Sequence, residues 1–317
     1  MVEIRPNSLR AWLLAARPKT LSGALIPVVV ATALAARDGA FRPVPALCCA
    51  LFAALMQVAA NFINDLYDYL RGTDGADRLG PERTCAQGWI SPAAMRWGIA
   101  LVLLPACAVG LAALLGSGAW IDFAEEGLTV DWAAVGWLCA LGAACVLFAF
   151  LYTTLLSYVG GGDLLVYVFF GFVPVLGTYY LQALSLTPAA WWLGAACGLL
   201  IDTLLLLNNY RDRDTDRRSG KRTLVALLGE RFGAYSYLLH GVAAALVAGA
   251  VIAAGADTLA GRLCAVLPLL YLIPHVRTWR TMVRICRGRE LNRVLGLTSR
   301  NMLLFAVLTA AALLVAG

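Results

Sequence analysis

The sequence predicts an all-α protein, a bundle of nine transmembrane helices with its N-terminus in the cytoplasm. Three observations carry this prediction. The composition is 61% hydrophobic and only 14% charged, with a mean hydropathy of +0.77. A soluble domain is about half apolar and about a quarter charged. Apolar runs of spanning length recur nine times, and a helix satisfies its own backbone polar groups where lipid cannot. The third observation is the placement of lysine and arginine, which follows from the elements below.

The first run, 18–36, follows Arg10, Arg17 and Lys19. Ala33-Leu34-Ala35 inside it resembles a signal-peptide cleavage site, but Leu21 to Ala36 with its flanks can span as a retained helix. The runs 44–64 and 190–209 pass directly into aspartate-rich segments. The runs 96–116 and 132–152 flank a connection carrying Asp122, Glu125, Glu126 and Asp131. The run 163–182 follows Gly160-Gly161-Gly162, so Asp163 reads as a helix N-cap. The runs 234–255, 259–276 and a short 301–317 complete the set. Strand-like period-two alternation is not apparent. Residues 1–317 read as a single transmembrane domain.

A cytoplasmic N-terminus places 22 of the 25 Lys and Arg on the cytoplasmic side, leaving only Arg37, Arg42 and Arg262 outside. This is the asymmetry that orients membrane helices. The net charge of +6 therefore follows topology, and no nucleic-acid partner is expected. Nine cysteines form no CxxC and accompany two histidines, which suits packing residues better than a zinc site.

Two segments carry the chemistry: NFINDLYDYLRGTDGADR from Asn61 and NNYRDRDTDRRSGKRT from Asn208. Carboxylates are costly beside a membrane and point to function. Asn61, Asn64 or Asp65, and Asp68 share one helical face, as do Asn208, Asp212 and Asp216. Asp214 points elsewhere, to solvent. Asp74 and Asp77 lie on a glycine-bearing loop. Both segments fall on the cytoplasmic side. Hard oxygen donors of this kind suit Mg2+ shared with substrate phosphates. Nearby cations would neutralise the rest: Arg17, Lys19, Arg71, Arg78, Arg83, Arg211, Arg217, Lys221 and Arg222. Tyr152 and Tyr158 fall on the active side, where ring faces can shield a carbocation. Tyr179 and Tyr180 read as belt residues, and Asp202 as either a paired bundle-facing acid or a functional one.

These segments resemble the UbiA-type intramembrane prenyltransferases, a family with nine helices, one Asn-Asp motif and one DxxxD motif. Here the motifs read Asn64-Asp65-Leu66-Tyr67-Asp68 and Asp212-Arg213-Asp214-Thr215-Asp216. ARPKTL, GTDGADRLGPER, FFGFVPVLGTYY and the Asn208–Leu224 stretch are most similar to the branch that prenylates 1,4-dihydroxy-2-naphthoate in menaquinone synthesis. Where many relatives carry a third aspartate four residues after the second, this chain has Gly72. The resemblance implies Asp65, Asp68, Asp212 and Asp216 as catalytic carboxylates. With Asn64, and Asp74 or Asp77, they would hold Mg2+. Arg17, Lys19, Arg78, Lys221 and Arg222 would bind phosphates, and Asn208 and Asn209 would orient ligands or acceptor. The implied partners are polyprenyl diphosphate, 1,4-dihydroxy-2-naphthoate and the lipid bilayer. A sibling enzyme using hydroxybenzoate or homogentisate is the alternative. A transporter would place its acids nearer the midplane, and a CDP-alcohol phosphotransferase needs a DGxxAR string that is not found.

Overall fold

The computed structural model describes residues 4–72, 79–124, 127–152 and 160–317. Among them are nine helices long and apolar enough to cross a membrane. They are α1 (Leu9–Arg37), α2 (Pro43–Leu70), α3 (Pro92–Ser117), α4 (Trp132–Leu151), α5 (Gly162–Ala183), α6 (Pro188–Arg218), α7 (Glu230–Ala254), α8 (Leu259–Ile285) and α9 (Leu291–Ala316). Helix starts follow sequence chemistry. Pro43, Pro92 and Pro188 each occupy a first helical position, where proline's missing N–H costs nothing. Ser91, Asp131 and Thr187 cap α3, α4 and α6 by accepting from Ala94, Ala134 and Ala190.

The interior helices are α6 and α1, with 67% and 56% of their most apolar windows buried, against 11% for α4 at the periphery. α5 and α6 meet through small residues. A Cβ on Gly171 would sit 2.7 Å from both the Gly194 carbonyl oxygen and the Gly198 Cα, so the backbones approach as closely as glycine allows. At the same place α5 takes a π-helical turn, Tyr167–Phe172.

α1 is not continuous. Leu9–Ala16 stops at Arg17, which adopts a left-handed conformation (φ 49°), and a 3-10 turn at Pro18–Thr20 leads into Leu21–Arg37. Pro18 disfavours helical geometry in the residue before it, which accounts for the break. Asn61 of α2 clamps it: its amide donates to the Ala16 carbonyl (2.8 Å) and to the Thr20 hydroxyl (2.9 Å).

Several expectations need correction. The α3–α4 connection holds an antiparallel hairpin, β1 (Ile121–Ala124) and β2 (Gly127–Val130), with strands too short for alternation to register. α9 starts at Leu291 rather than 301, because its first turns are polar and escape a hydropathy reading. Asp163 is not the N-cap of α5; Gly161 holds that position and Asp163 is buried in the first turn. Tyr179 is no belt residue: it is 2% exposed and donates to Asp38 Oδ2 at 2.7 Å.

Candidate active site

The two motif segments extend their helices past the apolar zone. α6 has 31 residues, about 46 Å at 1.5 Å per residue, against a hydrocarbon core of about 30 Å. The second motif is therefore helical throughout, and the first is helical to Leu70. Asn64 and Asn208 both line a groove of about 600 Å³ bounded by α1 to α6. Thr20, Gln57 and Tyr152 join them at this polar end, and apart from Thr178 the rest is apolar, walled by side chains such as Phe52, Phe148 and Phe169.

The first motif divides its acids by helical phase. Asn64 faces the groove. Asp65 is one residue on, about 100° around the helix, and is 1% exposed. Its Oδ2 accepts from the Thr84 backbone N–H (3.0 Å) and hydroxyl (3.0 Å), and its Oδ1 accepts from the Cys85 N–H (2.9 Å). Asp65, expected as a metal ligand, has both oxygens engaged by the chain's own donors. Asp68, a turn further, meets Arg83 at 2.7 Å and keeps 22% side-chain exposure. Asp65 thus anchors the segment that carries Arg83, and Arg83 in turn holds Asp68.

In the second motif Asp212 receives a two-pronged contact from Arg211, at 2.8 and 2.6 Å, and is 29% exposed. Asp216 is buried one turn beyond Asp212, and its backbone carbonyl accepts from the Lys221 N–H (2.9 Å). Asp214 is half exposed, with Arg287 at 3.8 Å, as a solvated residue should be. Asn208 donates to the Leu204 carbonyl, whereas Asn209 is buried off the groove. Arg17 sits at the break in α1, Lys19 is exposed beside it, and Arg222 is exposed after the second motif. Gly160 has a φ of 81°, and a Cβ there would lie 2.8 Å from the Arg222 carbonyl oxygen, so both its conformation and its surroundings favour glycine. Asp74, Asp77, Arg78 and Tyr158 lie outside the described residues.

Sequence reading missed Asn292, at the start of α9. Its Oδ1 accepts from Arg211 (2.8 Å) and its amide donates to the Leu79 carbonyl (2.8 Å). One amide thereby braces the second motif against the segment following the first. It also missed Thr84, a polar residue that no motif marks.

Among the described residues no three His, Cys, Asp or Glu side chains gather as an all-protein metal cage. The donor chemistry nevertheless fits Mg2+. The available groups are oxygens of Asn64, Asp68, Asp212 and Asp216, and Mg2+ typically takes one or two carboxylates and completes its shell with water and substrate phosphate.

The UbiA prenyltransferase family model matches residues 24–285. The 1,4-dihydroxy-2-naphthoate octaprenyltransferase of Escherichia coli is 38% identical over 234 residues, 73% of this chain and 72% of the relative. The protein of the same name from Mycobacterium tuberculosis is 35% identical over 309 residues, 96% of this chain and 97% of the relative. A solved UbiA homolog from Archaeoglobus fulgidus, bound to GPP and Mg2+, superposes with a TM-score of 0.59 at 15% identity, covering 96% of this chain and 99% of that one. At that identity the likeness concerns the fold.

Proposed function

Because this chain belongs to the UbiA prenyltransferase family, we propose that it transfers a polyprenyl chain from its diphosphate to 1,4-dihydroxy-2-naphthoate. The carboxyl is lost and demethylmenaquinone results. The observation that carries this reading is the groove. Its polar end holds Asn64 and Asn208, one from each motif segment, and its remainder offers an isoprenoid tail an apolar wall. The relatives named above supply the acceptor.

Each group has a role that follows from its position. Asp68, Asp212, Asp216 and Asn64 would hold Mg2+, which supplies charge stabilisation to the departing diphosphate. Arg83 and Arg211, already paired with Asp68 and Asp212, stand ready to meet phosphate oxygens as forked donors. Arg17, Lys19, Lys221 and Arg222 add positive charge around them, and Arg78, Asp74 and Asp77 belong to the same proposal. Asp65 acts at one remove, by fixing the Arg83 segment. As the allylic C–O bond breaks, positive charge develops on the prenyl carbon. The Tyr152 ring, on the groove wall, can face it. Groups held in place before the reaction stabilise such charge without reorganising.

The protein is an integral membrane protein by its nine spanning helices. We place the motif end in the cytoplasm of a bacterial inner membrane, on the charge asymmetry. The test is turnover by purified protein with 1,4-dihydroxy-2-naphthoate, polyprenyl diphosphate and magnesium. Prenylated product is read by mass spectrometry, and labelled carboxyl is followed as carbon dioxide. Preferential turnover of hydroxybenzoate or homogentisate would overturn the acceptor assignment.

A further inference from the structure

α5, α6 and α7 enclose a set of ionisable side chains for which diphosphate binding has no use. Asp202 lies on α6, between the close-packed glycines and Asn208, and is fully buried. His240 of α7 places Nδ1 3.0 Å from Asp202 Oδ2, but off the angle of a hydrogen bond, so both Asp202 oxygens lack a hydrogen-bond partner. The Tyr167 ring meets His240 edge-on at 5.9 Å. Asp163 stands one helical turn before Tyr167 on the same side of α5, is buried, and its Oδ1 also has no hydrogen-bond partner. Ionisable groups at membrane depth are expensive and are retained for function or for pairing. Here the pairing is incomplete.

Tyr152 connects this set to the groove. It caps α4 and lines the groove's polar end with Asn64 and Asn208. Gly162, next to Asp163, lies against its ring; a Cβ there would be 3.8 Å from Tyr152 Cε2. Tyr152 therefore joins the groove's polar end to the α5 turn that carries Asp163.

We propose that the Tyr152 hydroxyl passes the acceptor's hydroxyl proton to the Asp163–Asp202–His240 set, which stores it while the new carbon–carbon bond forms. This rests on the aromatic prenylation proposed above. The acceptor O–H bond breaks, and its electron pair stays on oxygen and activates the ring. The ring carbon bearing the carboxyl bonds to the prenyl carbon while the C–O bond to diphosphate breaks, its pair leaving with diphosphate. Loss of carbon dioxide returns a bonding pair to the ring, and the stored proton goes back to the aryl oxygen. Protons and electrons balance, and the relay ends as it began. Tyr152 is then the group that touches the acceptor, and Asp202 and His240 are positioning residues acting through it.

The experiment uses the purified full chain in lipid nanodiscs, with 1,4-dihydroxy-2-naphthoate, polyprenyl diphosphate and magnesium. Tyr152→Phe keeps the ring and removes the hydroxyl. It should lower kcat by about a hundredfold, the low end of general acid–base effects, with KM for the diphosphate unchanged within about twofold. Asp202→Asn should do the same, and the double variant should be no worse than either single one. Raising the pH should restore much of the rate in each, because the acceptor hydroxyl then ionises unaided; a purely structural pair would show no such rescue. Full kcat in Tyr152→Phe would overturn the relay and leave the tyrosine as a ring alone. Loss of thermal stability in Asp202→Asn, with normal kcat per folded molecule, would reduce the Asp202–His240 pair to packing and overturn it equally. If Asp202→Asn does not fold, the Tyr152→Phe pH profile decides alone. A wild type that turns over none of this acceptor would instead refute the functional proposal.

Discussion

Replacing Asp65 separates a structural acid from a metal ligand. In Asp65→Asn one oxygen can keep the Cys85 N–H, but an NH2 group now faces the Thr84 N–H that Oδ2 accepts at 3.0 Å. The Thr84 hydroxyl can turn and accept, so the uncompensated loss is one buried backbone donor. That costs about 1–3 kcal/mol, and the remaining bond loses the added strength of a charged acceptor, about 1 kcal/mol more. A total of about 3 kcal/mol shifts the docking of the 83–85 segment roughly a hundredfold. Arg83 would then leave Asp68 for much of the time. The expected phenotype is a lower unfolding temperature in detergent and a KM for polyprenyl diphosphate raised by up to about a hundredfold, with kcat reduced far less. Initial-rate kinetics and a thermal unfolding curve on the same preparation measure both. An Asp65→Asn protein that melts like wild type while its kcat collapses would refute the reasoning and return Asp65 to the metal.

Asp68→Asn and Asp212→Asn should each lower kcat by roughly a thousandfold, the scale of losing several kcal/mol of leaving-group stabilisation. Asp214→Asn, on the solvent side, should stay near wild type in the same assay. A chelator should abolish turnover and added magnesium restore it, read as product formed per minute. Gly171→Ala should destabilise the α5–α6 contact by about 1–3 kcal/mol through overpacking, seen as a lower melting temperature, since its Cβ would meet backbone at 2.7 Å. Thiol labelling of Arg83→Cys and Asp122→Cys, in a background without accessible native thiols, should report opposite membrane faces; the same face would refute the orientation.

The architecture was legible because each helix is both long and apolar, and hydropathy records that directly. The motif faces were legible because helical spacing continues through Asp68 and Asp216. Other features depend on contacts that no spacing encodes. Asp65 and Asn64 are neighbours in sequence, and the spacing alone does not reveal that Thr84 meets the one and the groove the other. The Asn292 brace joins residues 81 and 213 positions apart. Asp202 stood out as a buried acid, but its partner His240 lies on another helix with no motif around it. The break in α1 could have been read from Pro18, whose effect on Arg17 is local.

The brace at Asn292 also bears on how this enzyme tolerates exchange of parts. The family match ends at residue 285 and begins at 24. Arg17, Lys19 and Asn292 all lie beyond those limits. The part the family model matches thus carries the two motifs, while residues outside it help to hold them. A chimera that keeps residues 24–285 and borrows the remainder from a relative without asparagine at position 292 would retain every motif aspartate yet lose the amide that ties Arg211 to Leu79. Such a hybrid would still assemble its groove but grip diphosphate loosely, and adding a single asparagine at the borrowed position is the natural repair.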